Sequence, residues 1–516
     1  MDPLYYYLVL FILLYVYTKQ VLKKIRNLPP SPPFSLPVVG HLHLLKLNQP
    51  LHRTLTKLGS TYGPILLLKF GSRPVLLVSS PSAAEECLTK NDIVFANRPR
   101  FLAGKYLGYN YTTLVWASYG QHWRNLRRIA SAEILSSHRL QMLSGIRLDE
   151  VRLLIRQLHR SSSESPVVEM KSKFIELMLN IIMRMISGKR YYGENGSRRE
   201  EHDQVKRFKE IVRETLEVSG ATNVGDFVPI VNWFGFLNKK GLEKRLVVLQ
   251  EKRDKFMQAL IDEHRLVRSG CDEDDDHSHG RGKTMIDVLL SLQKTEAEYY
   301  SDEIIRGLIL VMLGAGTDTS AATSEWALSL LLNNPECLKK AQAEIDAEIG
   351  HNRLIEESDL AQLPYLRNII NETLRMYPVS PVLSHHESSE ECSVGGFRIP
   401  RGTMLFVNLW ALQNSPELWV EPDKFKPERF TVLGVERDGS VMMPFGSGRR
   451  ACPGEGLAMR VLGLVLGSLI QCFEWERPSE DMVDMTEGIG LTMPKARPLL
   501  AKCTPRRSML KLLSQI

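Results

Sequence analysis

The chain has 516 residues, 43% of them apolar, and 66 basic against 59 acidic side chains give a formal net charge of +7. The length allows a large buried core, and so mild a positive excess, without an arginine-rich run or an RNP-like aromatic motif, excludes a nucleic-acid binder. Seven scattered cysteines, an odd number with no C-x-x-C pair, exclude a disulfide scaffold and a cysteine zinc site and suit a reducing compartment.

Residues Leu4 to Tyr17 carry no charge, and tyrosines at 5, 6, 7, 15 and 17 crowd both ends of the run. Tyrosine favours the membrane interface. A full span needs about 20 residues, so the anchor is expected over 1–22, with Lys19 snorkelling. Lys19, Lys23, Lys24 and Arg26 follow the run and only Asp2 precedes it, which places the body on the cytosolic side. A cleaved signal peptide would carry its basic charge before the apolar core and a small-residue cleavage site after it. Neither is present, and the segment reads as an uncleaved single-pass anchor. A basic and proline-rich hinge follows over 23–40, with Pro29, Pro30, Pro32, Pro33 and Pro37 stiffening it.

Beyond the hinge, short strand-like runs stand at Ile65–Phe70, Pro74–Val78 and Thr403–Val407. Trp123 and Arg127, four apart, share one helix face and are both hydrogen-bond donors. Helical spacing of charged and apolar residues covers Leu140 to Leu158 and Glu243 to Arg268. Ser269 to Lys283, with the acidic run Asp272 to Asp276 and two histidines, reads as a solvated loop rather than a metal site. The longest helix starts at Ser301 as N-cap, with Asp302 and Glu303 in its first turn, and stops at Asn333-Asn334-Pro335. Its middle is almost wholly apolar, so it is expected to thread the core. Within it, Ala315-Gly316-Thr317-Asp318-Thr319-Ser320 breaks the apolar rule, as functional sites do. Glu372 and Arg375, three apart, pair on a helix face. Finally, Phe445-Gly446-Ser447-Gly448-Arg449-Arg450-Ala451-Cys452-Pro453-Gly454 precedes a helix over Glu455–Phe473. Glycines let backbone approach a flat ligand, and a helix N-terminus stabilises a thiolate at Cys452. Arg450 is expected to pair with a nearby carboxylate.

That run resembles the cytochrome P-450 signature F-x-x-G-x-R-x-C-x-G, matched at Phe445, Gly448, Arg450, Cys452 and Gly454. The resemblance covers nearly the whole chain, and at finer grain it is to plant family 81, through His122 to Arg127 (HWRNLR), Met183 to Gly188 (MRMISG) and Thr403 to Trp410 (TMLFVNLW). It implies the P-450 fold, mainly α with small β-sheets, as a single haem domain over 41–516 behind an N-terminal transmembrane helix. It further implies haem b with iron bound by the Cys452 thiolate, and O2 as co-substrate. Electrons would come from NADPH through cytochrome P-450 reductase, docking near Arg124, Arg128 and Arg449. Trp123, Arg127 and His386 would hold the haem propionates, and Glu372, Arg375 and Arg429 would form a structural network. Asp318 and Thr319 would deliver protons for oxygen activation. The implied location is the endoplasmic reticulum membrane.

Carried over from the same resemblance, the substrate pocket would draw on Phe101, Leu102, Trp116, Ala315, Val379, Val382, Leu383, Ile489 and Leu491, with Ser380, Ser384 or Thr492 as polar contacts. Those segments hold no charge besides Lys105 and Asp318, so a neutral or weakly polar small aromatic substrate is expected. The implied reaction is hydroxylation of a plant phenolic of the isoflavonoid, lignan, xanthone or indole class. Ring-forming oxidative coupling is the alternative. An O2-independent isomerase and a non-catalytic haem sensor are argued against by Asp318-Thr319.

Overall fold

A computed structural model describes residues 6–7, 25–46, 48–193, 199–219, 223–230, 239–269, 283–432 and 442–516. Most of the expected anchor, 1–22, and the acidic run 272–276 lie outside the described residues.

The larger elements, in chain order, are α1 (Leu51–Tyr62), β1 (Ile65–Phe70), β2 (Arg73–Val78), α2 (Gln121–Arg128), α3 (Ser144–Glu164), β3 (Val167–Glu169), α4 (Met170–Ser187) and α5 (Arg199–Ser219). They continue as α6 (Lys239–Ser269), α7 (Met285–Thr295), α8 (Asp302–Asn333), α9 (Pro335–Glu348), α10 (Pro364–Met376), β4 (Leu383–Glu387), β5 (Cys392–Val394), β6 (Phe397–Ile399), β7 (Met404–Val407), α11 (Glu455–Cys472), β8 (Phe473–Glu476) and β9 (Leu500–Pro505). One sheet has the order β1-β2-β7-β4, with β2 parallel to β7 and the other pairs antiparallel. β3, β9 and β8 form a second sheet and β5 with β6 a third.

α8 is the axis of the helical body. Ser301 caps it, accepting from the Ile304 N–H. From Ser320 to Leu332 it is buried without interruption. It packs closely on α4, where a Cβ on Gly316 would meet Ile182 Cδ1 at 2.7 Å. Trp326 anchors its lower half, fully buried, stacked on Tyr377 at 4.0 Å and donating its indole N–H to the Met493 carbonyl. Buried hydroxyls bond back along the helix: Thr317 to the Leu313 carbonyl, Ser324 to that of Ser320 and Ser329 to that of Glu325. That is how these hydroxyls stay in the core without being left unpaired. α8 and α11 are each long and apolar enough to cross a membrane, but both are largely buried inside the body.

The hinge is stitched to the first sheet. Leu67 N–H donates to the Pro30 carbonyl (2.8 Å) and His41 N–H to that of Lys69 (2.6 Å). Gly40 holds φ +62°, and a Cβ there would lie 2.2 Å from the Lys69 oxygen, so only glycine permits this approach. The proline segment is therefore part of the body's edge and fixes the direction from which the chain enters.

Candidate functional site

The loop 445–454 is closed by its own backbone. Cys452 N–H donates to the Phe445 carbonyl (2.8 Å), and Ala451 N–H to that of Gly448 (3.1 Å). Gly448, at φ +69°, passes so near the Leu88 carbonyl that a Cβ would sit 2.2 Å from its oxygen. Asp92 clamps the same turn, accepting from the Arg449 N–H (3.1 Å) and pairing with its guanidinium (2.9 Å). Gly454 caps α11, and its N–H points at the Cys452 sulfur. Burial pushes the thiol's pKa up, while the Gly454 N–H and the Arg127 charge pull it down. Yet Cys452 is exposed. A side chain that is both desolvated and accessible faces an interior space.

Positive charge converges around that space. Arg127 donates to the Ala451 carbonyl. Arg450 donates to the carbonyls of Ala96, Leu114 and Ala117, and lies 4.3 Å over the Trp123 ring. Arg98 donates to the carbonyls of Val115 and His385. All three guanidiniums bond backbone carbonyls, and none has a carboxylate in an ion pair among the described residues. Burial pushes Arg450 down to about 8, with Arg98 and Arg127 repelling it further, and Arg98 down to about 10. Guanidinium stays charged in proteins, so this depression expresses how poorly the site compensates its own charge. The expected carboxylate partner of Arg450 is thus missing from its immediate neighbours. Two ligand carboxylates would complete the cluster, which fits a haem with its propionates.

Two expected propionate donors are already engaged. The Trp123 indole N–H donates to the Leu114 carbonyl (3.2 Å), so Trp123 supports Arg450 with its ring face instead. His386 directs Nδ1 at the Phe95 carbonyl (2.9 Å), which requires the proton on that nitrogen. Burial, with the Arg98 charge beside it, holds its pKa down to about 3. Arg98 was not singled out from the sequence. Asn97-Arg98-Pro99-Arg100 looks like any polar turn, and only the lack of a carboxylate beside Arg98 distinguishes it.

Glu372, Arg375 and Arg429 meet in one buried network. Glu372 and Arg375, both fully buried, pair through two hydrogen bonds (2.7 and 2.9 Å), and Arg429 joins Glu372 at 2.9 Å. Arg375 further donates to the carbonyls of Gln413 and Pro422, so neither charge is left unpaired.

On α8, Gly314 and Ala315 are exposed although the helix around them is buried. Thr319 donates its hydroxyl to the Ala315 carbonyl (2.7 Å), leaving its lone pairs free to accept. Asp318 accepts from the Thr492 hydroxyl (2.7 Å), so Thr492 is tied to the acid rather than open to a substrate. The turn carrying Thr492 leaves Ile489 and Leu491 exposed, and its Met493 N–H donates to the Val379 carbonyl. Phe101, Trp116 and His385 form a ring cluster with centroids 5.5–6.3 Å apart, and Val382 belongs to the same apolar cluster. Leu383 lies against Gly446 of the cysteine loop. Leu102 diverges from this group, packing instead with Val218, Leu246 and Leu249 under α5 and α6.

The cytochrome P450 family profile matches residues 29–501. Cytochrome P450 81Q32 of Catharanthus roseus is 53% identical, the match covering 96% of this chain and 95% of the relative. The isoflavone 3'-hydroxylase of Medicago truncatula is 49% identical over 97% of this chain and 98% of the relative. The (+)-piperitol/(+)-sesamin synthase CYP81Q2 of Sesamum radiatum is 48% identical over 95% and 93%. Among solved structures, a zebra fish cytochrome P450 with progesterone superposes with a TM-score of 0.74 at 26% identity, covering 89% of this chain and all of that one. Profile, relatives, fold and cysteine loop agree: the chain belongs to the cytochrome P450 family, in its plant family-81 branch.

Proposed function

We propose that this protein is a haem-thiolate monooxygenase that hydroxylates a plant phenolic of the isoflavonoid or lignan kind, with Cys452 as the iron ligand. The observation that carries the reading is the pairing of an accessible, deeply set cysteine at a helix N-terminus with three guanidiniums that lack carboxylates. Haem held there would supply O2 activation, with Cys452 as its thiolate ligand. The relatives' names, three isoflavone hydroxylases among them, support the substrate class.

The chain's own residues supply binding, orientation and protons. Arg98, Arg127 and Arg450 would hold the propionates, with the Trp123 face under Arg450. Gly446 and Gly448 give the loop the positive-φ path that would let its backbone approach a flat ligand. Thr319 accepts a hydrogen bond from a water beside the reacting position, and Asp318, oriented by Thr492, exchanges its proton with solvent. Phe101, Trp116, Ala315, Val379, Val382, Leu383, Ile489 and Leu491 bound the substrate space and exclude water from it. Two electrons from NADPH arrive through the reductase, at a face carrying the exposed Arg124 and Arg128 and the Asp92-paired Arg449. One oxygen atom enters the substrate as hydroxyl and the other leaves as water. Residues 1–22 anchor the protein in the endoplasmic reticulum membrane, with the body in the cytosol.

The test is turnover of the full chain with its reductase against isoflavonoids, lignans, xanthones and indoles. Hydroxylated product formed in proportion to NADPH and O2 consumed supports the reading. Product formed without O2 or NADPH consumption contradicts it.

A further inference from the structure

Helix α6 turns an apolar stripe inward: Leu246, Leu249, Met257 and Leu260 are each at most 2% exposed. Arg253 lies on that stripe, seven residues after Leu246 and four before Met257, and is itself only 6% exposed. Its side chain makes no hydrogen bond or ion pair with any described residue; the Asp254 carboxylate acts on it only across space. Asp254 is already occupied by the Tyr109 hydroxyl, the Gln250 amide (2.9 Å) and Arg306 (3.4 Å). The Gln250 carbonyl oxygen, one turn back, is enclosed without a partner, so the guanidinium does not turn to it. No nitrogen of Arg253 is both enclosed and unpartnered, so the group keeps an open face.

What surrounds that face places it. Upstream on the stripe, Leu246 and Leu249 pack with Leu102, Tyr106 and Leu107. Tyr109 lies against Gly307 of α8. Arg253 therefore opens where α6 crosses the 102–109 segment and the N-terminal half of α8. From Gly307 to the exposed Ala315 is about 12 Å along the helix axis, roughly the reach of a three-ring aromatic lying along α8. The cation that the sequence reading noted on the pocket walls, Lys105, is exposed, and Arg253 is on none of those segments.

We propose that Arg253 anchors the substrate: its guanidinium takes an anionic oxygen at the end of the molecule remote from the reacting carbon. A carboxylate has this chemistry through two oxygens that match the planar fork, and a phenol acidified by a conjugated carbonyl has it through one oxyanion. A neutral ether does not. A lone buried guanidinium is costly for the fold, and a ligand oxyanion removes that cost. The inference rests on the phenolic reading above and replaces its neutral substrate with an ionisable one.

Spectral binding titrations of the haem-loaded full chain test it. The probes are an isoflavone with a free hydroxyl para to its ring carbonyl, its methyl ether, a cinnamate and its methyl ester. Wild type should bind each ionisable probe about tenfold to a hundredfold more tightly than its partner, as one charge-assisted hydrogen-bonded contact allows. Arg253→Gln should abolish that preference while leaving ether and ester affinity unchanged, and Arg253→Lys should restore part of it. Preference for the phenol alone or the cinnamate alone assigns the source of the oxyanion. Equal wild-type affinity within both pairs overturns the proposal even if a variant fails to fold, as does an unchanged preference in Arg253→Gln. If no aromatic probe shifts the spectrum at all, it is the phenolic reading that fails.

Discussion

Thr319 and Asp318 sit side by side on α8 but face different partners. Thr319 spends its proton on the Ala315 carbonyl and keeps its lone pairs, while Asp318 is held by Thr492 from another part of the chain. Thr319→Ala removes the acceptor without touching the cysteine loop. Haem content should be unchanged, NADPH use should diverge from product with peroxide released, and product per NADPH should fall by up to about a hundredfold, the lower end of what a placed proton-transfer group contributes. Unchanged coupling would remove Thr319 from the proton path. At this scale the sequence was uneven. Cys452 was legible because four other fixed positions, Phe445, Gly448, Arg450 and Gly454, surround it. Arg98 and Arg253 were not, because their significance lies in the partners they lack, which no spacing records. Lys252-Arg253-Asp254 reads as a solvated face until α6 is seen to turn its middle residue inward. The bond from His386 Nδ1 to the Phe95 carbonyl, 291 positions away, could not be read from the sequence either.

Helix ends were readable where a cap or a proline marks them. α8 begins after Ser301 and ends before Asn334-Pro335, as its sequence dictates. The helix expected over 140–158 is instead two, broken at Leu143, since its apolar spacing continues through a break that only packing imposes. The second sheet escaped notice because β3 has three residues and pairs with a strand more than 300 positions on. The start of α8 also carries an electrostatic device. Asp302 accepts from Arg265 and is further bonded by Gln258 (2.7 Å) and Gln293 (3.1 Å). These bonds, Arg265 foremost, hold its carboxyl well below the usual range against the opposing effect of burial. A depressed carboxylate stabilises the fold above its ordinary pKa of about 4 and loses that contribution as pH falls towards its lowered native value. Asp302→Asn should therefore cost about 1 kcal/mol at neutral pH, the pair being partly exposed. In denaturant titrations the gap between variant and wild type should narrow progressively below about pH 4. A gap independent of pH would assign the loss to packing instead.

For the whole molecule, the proline segment is where the proposed anchor would join the body. It is hydrogen-bonded to the first sheet and leaves Phe34 and Val38 exposed at its edge. Removal of residues 1–28 should release much of the protein from microsomes. If pelleting persists in high salt and mild alkali, the anchor lies elsewhere, and partial retention would locate a second contact on this apolar edge. The body itself gathers residues spread over more than 350 positions, from Arg98 to Cys452, around one interior space. That convergence has a single chemical purpose in this account, the thiolate ligation of haem iron. The most direct test is the carbon monoxide spectrum of the reduced, haem-loaded Cys452→Ser variant. The account predicts that the thiolate-type band is lost while Arg98, Arg127 and Arg450 still retain haem. A normal thiolate-type spectrum in that variant would contradict it.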